Sequence, residues 1–251
     1  MRNKKTLLLR LAAIVLALLV WQIASMAVGT DLLLVSPLKV AKRLAELVFE
    51  KDFFPTVFYS LVRVFSGFLI AFFLGIILAV AAGRCRLLEH YLWPYVTAFK
   101  SVPVASFIIL ALIFLSYDRL TVFITFLIAF PVIYSNVLQG YRSTDPGLLE
   151  MAKLYRVPFI RQLFGIYLPG LRPYVLSASS TAVGMGFKAG VAAEVIGIVT
   201  GSIGEKLYRS KIYLETADLF AWTIVIIVLS AILERLFRLV LDLIYRRLEA
   251  V

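Results

Sequence analysis

A chain of 251 residues that is 62% hydrophobic and only 16% charged, with a mean hydropathy of +0.95, has too little polar surface to coat a water-soluble ball. Disorder and disulfide scaffolds are excluded, the latter also by the single cysteine, Cys85, which leaves the redox compartment open. The net charge of +11 lies between apolar runs, a pattern that sets orientation in a bilayer rather than one that binds nucleic acid.

Long stretches without charge recur along the chain, and a helix needs about 20 apolar residues to cross the hydrocarbon. They predict an all-α polytopic membrane protein with six spans, at about 6–28, 57–83, 92–116, 120–141, 173–196 and 217–240. The whole of 1–251 is expected to be one transmembrane domain. The first span has a basic start (Arg2, Lys4, Lys5) and small residues at Ser25 and Ala27, as a signal peptide would. Its apolar stretch is longer than a signal peptide uses, so it is read as a retained helix. Between spans one and two, Ser36 to Asp52 reads as an outer amphipathic helix opened by Pro37, with Val40, Leu44 and Leu47 at helical spacing.

With the N-terminus in the cytoplasm, basic residues in the inner segments outnumber those outside about two to one. An even number of spans then puts both termini inside. The longest inner connection is expected over 142–172. Asp145 before Pro146 is a helix start, because the carboxylate caps free N–H groups and the proline has none to satisfy. Leu148, Leu149, Ala152 and Tyr155 make one apolar face, with Glu150 and Lys153 more exposed. Val157 before Pro158 leaves the helical region. Pro158 opens a second short helix, expected to end near Leu168-Pro169. Periodicity alone favours an ordinary connecting loop resting on its own bundle.

Glu150-Met151-Ala152, followed by Gly165-Ile166-Tyr167-Leu168-Pro169, resembles the EAA loop of bacterial ABC-importer permeases. Met151 stands where that pattern has alanine, and Arg156 where it has the glycine of a turn. Gly184-Met185-Gly186-Phe187-Lys188 with Val191-Ala192-Ala193-Glu194 is similar to the G-x-G-W-K…V-A-A-E stretch of the nitrate/sulfonate/taurine type, Phe187 replacing tryptophan. Lys100-Ser101-Val102-Pro103 resembles the basic residue and prolines before that type's third span, with one proline absent.

The resemblance implies a type I permease subunit whose cytoplasmic loop couples to a separate ATPase through Glu150, Met151, Ala152, Tyr155, Arg156, Gly165, Leu168 and Pro169. It also implies a second permease copy with the pathway between the two, two ATPase copies that use ATP and Mg, and an extracytoplasmic substrate-binding protein. The location implied is the bacterial plasma membrane, and the substrate a small anion, sulfonate or vitamin-like solute. This chain contains no G-x-x-x-x-G-K-[ST] phosphate loop, so no cofactor and no catalysis are expected of it. Lys100, Pro103, Lys188 and Glu194 are the candidate pathway residues, since charge inside a membrane marks function or pairing. Lys188 and Glu194, six residues apart, point to different faces of one helix. Lys188 is read either as lining the pathway near an anionic group or as snorkelling or pairing on another helix. An intramembrane enzyme is disfavoured, because His90 and Cys85 have no partners at metal-ligand spacing. The remaining alternative is a secondary transporter not powered by ATP, a class that commonly carries internal repeats.

Overall fold

The computed structural model describes residues 2–249, with the side chains of residues 2–7, 10 and 249 outside the description, and with them the basic start Arg2, Lys4, Lys5 and Arg10. Helices follow in the order α1 (Arg2–Val28), α2 (Pro37–Val48), α3 (Phe53–Arg84), α4 (Arg86–Ser101), α5 (Val104–Phe114) and α6 (Tyr117–Arg142). After these come α7 (Pro146–Leu154), α8 (Phe159–Gln162), a π-helical turn at Leu163–Tyr167, α9 (Leu168–Gly197), α10 (Ile203–Ile212) and α11 (Thr216–Glu249). No strand occurs among the described residues. This is the all-helical outcome that backbone polar groups in lipid require.

By length and composition, Leu11–Val28, Phe53–Arg84 and Tyr117–Arg142 each suffice to cross a membrane. The pair α4 and α5 makes a fourth crossing if it counts as one broken span. At 1.5 Å per residue, the 30 residues of α9 and the 34 of α11 are about 45 and 51 Å long. Neither is among the helices whose length and composition together suffice to cross.

The span expected over 92–116 falls on a bent pair: α4 and α5 meet at 109°. Proline at 103 has no N–H to continue α4, and it forces Val102 into an extended conformation (φ −71°, ψ 129°). The 11 residues of α5 reach only about 17 Å, roughly half the hydrocarbon thickness.

The core is the packing of α3, α6 and α9, with α11 closing one side. Small residues let these helices approach. A Cβ on Gly190 would stand 2.6 Å from Thr125 Oγ1 and 2.8 Å from Val64 Cγ2. Toward the α7–α8 end, Phe68 and Phe72 of α3 meet Phe237 of α11 edge-on, at 4.7 and 5.3 Å between ring centres. At the opposite end α2 lies against α11 and α3, with Pro37 in its first turn as expected, Ser36 capping it, and Val40 and Leu47 buried. The Arg43 guanidinium binds Asp218 through both Nε and Nη2, and Glu50 through Nη2 at 2.9 Å. The Asp218 hydrogen bond raises the Arg43 pKa above its ordinary value. Among its described side chains, α1 is bonded to the rest in its second half. Trp21 Nε1 donates to the Val35 carbonyl at 3.1 Å and Ser25 Oγ to the Leu34 carbonyl at 2.9 Å.

Candidate functional site

Two regions carry the residues singled out by sequence. The first is the hairpin between α6 and α9. Asp145 caps α7 as expected, its Oδ1 accepting from the Gly147 N–H at 2.8 Å, with Pro146 in the first turn. The exit from α7 is a Schellman turn: the Val157 N–H donates to the Ala152 carbonyl at 2.8 Å and the Arg156 N–H to Lys153 at 3.1 Å. This geometry needs a left-handed residue at position 156, and Arg156 takes it at φ +48°. The turn is thus built as a glycine would build it, with arginine carrying the strain.

The second half of the hairpin differs from expectation. No helix ends near Leu168-Pro169; α8 passes through the π turn straight into α9, so the connection is shorter than 142–172 and α9 starts before 173. Proline in a helix interior clashes with the carbonyl four residues back, which for Pro169 is Gly165, inside the widened turn. The Leu168 N–H accordingly donates to the Leu163 carbonyl, five residues back. The hairpin is seated by Tyr167, which stacks on Tyr141 at 4.3 Å, and by the Arg84 guanidinium, which lies 4.1 Å over the Phe159 ring. Arg172 of α9 bonds to Asp242 of α11 at 2.7 Å beside it.

The apolar face of α7 is only partly buried. Ala152 is 1% exposed and Leu149 packs on the core, whereas Leu148 and Tyr155 face outward, correcting their expected burial. Glu150 and Met151 are exposed as well, and Leu154 (78%), Ile160 (69%) and Phe164 (58%) extend the outward apolar surface. Sequence reading missed these last three residues. An apolar side chain left over when the inner face of a helix is assigned was the signal available.

The second region is α9 itself. Gly170, Pro173, Ser177, Thr181, Met185, Lys188 and Ile196 form one exposed stripe at spacings of a helical face. Lys188 stands on it without a hydrogen bond or ion pair to another described residue. Glu194 lies on the other side, 0% exposed. Its Oε2 accepts from Ser60 Oγ of α3 at 2.7 Å and from the Gly204 N–H of α10 at 3.4 Å, while Oε1 has no partner. Ser60 Oγ accepts in turn from the Ile203 N–H at 2.9 Å. The two charges therefore diverge as their spacing predicted. Glu194 thus joins three helices, α9, α3 and α10. Lys100 and Pro103 are exposed at the break between α4 and α5. Among the described residues no hydrogen bond or ion pair joins them to Lys188 or Glu194. Ser60 and Arg63, whose Nη1 is a second buried orphan, carry no motif that sequence could have marked. Among the described residues no group of three or more His, Cys, Asp or Glu could hold a metal ion.

Residues 53–250 match the family described as binding-protein-dependent transport system inner membrane component. The chain is similar to a putative aliphatic sulfonates transport permease protein, SsuC, of Bacillus subtilis (strain 168), 26% identical over 233 residues, 92% of this chain and 83% of that one. It is 28% identical over 208 residues to the bicarbonate transport system permease protein CmpB of Synechococcus elongatus, 79% of this chain and 74% of that one. The taurine transport system permease protein TauC of Escherichia coli (strain K12) is 24% identical over 220 residues, covering 85% and 80%.

Proposed function

The chain belongs to the family of binding-protein-dependent transport system inner membrane components, and from that premise we propose that it is the membrane-spanning subunit of an ATP-driven importer of small anions such as sulfonates. Relatives named for sulfonates, bicarbonate and taurine support that substrate class. The pathway runs along the exposed stripe of α9, with Lys188 facing the anion, and is completed by a second copy of this chain. The hairpin of α7, α8 and the π turn faces the cytoplasm, together with both termini. It inserts into a separate ATPase subunit, one per permease copy, and that partner binds ATP and Mg. A substrate-binding protein delivers cargo at the opposite end.

One observation carries the coupling role: a rigidly capped, buried-rooted hairpin holds Met151, Leu154, Tyr155, Ile160 and Phe164 outward. Large apolar groups exposed together mark a docking surface when no lipid reaches them. The test is co-purification of permease and ATPase followed by transport in proteoliposomes. Glu150→Lys is expected to lose both while the permease alone keeps its helical circular dichroism. Normal transport by that variant would remove the hairpin from coupling. Lys188→Met is expected to lower anion uptake with expression intact, and unchanged uptake would take Lys188 off the pathway. Uptake by the purified chain with a proton gradient and no ATPase would favour a secondary transporter.

A further inference from the structure

Glu234 of α11 falls within the last expected span, 217–240, and is half-buried. A carboxylate inside a membrane is costly and marks function or pairing. No cation among the described residues is bound to this one. Its Oε1 accepts from Ser180 Oγ of α9, and its Oε2 has no partner among the described residues.

Helical geometry sets this carboxylate beside Lys188. A Cβ on Gly184 would stand 3.8 Å from Glu234 Oε2, so the absent side chain leaves that oxygen uncovered. Ser180, Gly184 and Lys188 follow at four-residue spacing and form one row up α9, each about 6 Å above the last. Helical side chains lean toward the N-terminus, so the Lys188 stem runs back toward Gly184. Lys188 is exposed and unpaired, while Ser180 and Gly184 are half-buried on the flank between the α9 stripe and α11. An open ammonium and an open carboxylate oxygen therefore border the stripe about one turn apart, and no ion pair joins them.

A wall carrying Lys188 alone suits any anion. A carboxylate one turn away repels a bare anion and favours a solute that brings its own cation. We propose that Glu234 determines specificity and that the cargo is a zwitterion, an amino-substituted sulfonate or carboxylate. Its oxyanion sits on Lys188 and its ammonium on Glu234, which Ser180 holds in position. The inference rests on the importer reading, in which Lys188 faces the pathway, and narrows the cargo from small anions to those with a positive group a few bonds away.

The experiment is equilibrium dialysis of 2-aminoethanesulfonate and of ethanesulfonate, at neutral pH, against the full chain in phosphatidylcholine nanodiscs. Wild type is expected to bind the amino compound at least tenfold more tightly, the share of one charge-assisted hydrogen bond. Glu234→Gln keeps an acceptor for Ser180 and is expected to weaken the amino compound about tenfold without weakening ethanesulfonate. Lys188→Met is expected to weaken both. Glu46→Gln, at an exposed carboxylate on α2, changes neither. Equal affinity of wild type for the two probes, binding of neither, no effect of Lys188→Met, or an equal loss of both probes in Glu234→Gln, which would assign Glu234 to helix packing, each overturns the proposal. Import by the complete wild-type assembly is measured alongside. Its absence would undo the importer reading and leave the binding preference standing.

Discussion

Arg156 carries a strain that most residue types avoid. At φ +48° a side chain costs roughly 1–2 kcal/mol relative to glycine, part of it returned because glycine is freer in the unfolded chain. Arg156→Gly is therefore expected to stabilise the exit of α7 by about 1 kcal/mol. Hydrogen exchange at the Val157 amide, bonded to Ala152, reads this directly, and slower exchange in the variant is the expected result. Glu194 poses the opposite problem, a fully buried carboxylate serving three helices. Glu194→Gln keeps an acceptor for Ser60 and Gly204 and is expected to cost little. Glu194→Leu leaves both donors bare and is expected to cost about 2–4 kcal/mol in denaturant titration of the detergent-solubilised chain. Gly204 is bound to the same contact, since a Cβ there would stand 2.3 Å from Glu194 Cβ. Gly204→Ala is expected to destabilise by about 1–3 kcal/mol through overpacking.

At the level of elements, the hairpin separates two jobs that a sequence pattern runs together. Ala152 is small because it lies on the buried underside of α7, whereas Leu154 and Tyr155 are free to touch something else. Ala152→Asp is expected to unseat α7 by burying a charge, and Leu154→Glu to leave the hairpin intact while weakening ATPase capture about tenfold. Limited proteolysis of the hairpin distinguishes the two: the first variant is cut faster, the second is not. The helix starts at Ser36 and Asp145 were legible because capping is local chemistry, readable from a side chain and its next few neighbours. The passage of α8 into α9 was not, since Pro169 reads as a stop unless the preceding turn is known to widen. The break between α4 and α5 had its cause in plain view at Pro103. Its 109° angle depends on what α5 packs against, including Ala189 and Ala193 of α9, and no local rule supplies that.

Across the whole molecule, the helical class and most helix positions followed from apolar length, a property that a bilayer makes decisive. Partners of buried polar atoms did not follow. Ser60 meets Glu194 across 134 positions of chain, and periodicity says nothing about such distances. The surface left uncovered is equally a property of the assembled chain. Ile109, Leu110, Ile113 and Phe114 of α5 stand exposed beside the α9 stripe. If a second copy covers them, Phe114→Cys in a Cys85→Ser background is expected to form an oxidised dimer, reversed by reductant, that exposed Phe49→Cys on α2 does not form. A monomer band for both variants would place the partner elsewhere.

The bend at Pro103 bears on how force travels. A straight rod pushed at one tip moves at the other, but a rod cut near its middle passes on only what its neighbours relay. Here α4 leans on α3 and α6, while α5 leans on α6 and α9. A tug on α4 therefore reaches α5 through α6 as well as through the bend, and the two ends of the bundle need not swing together.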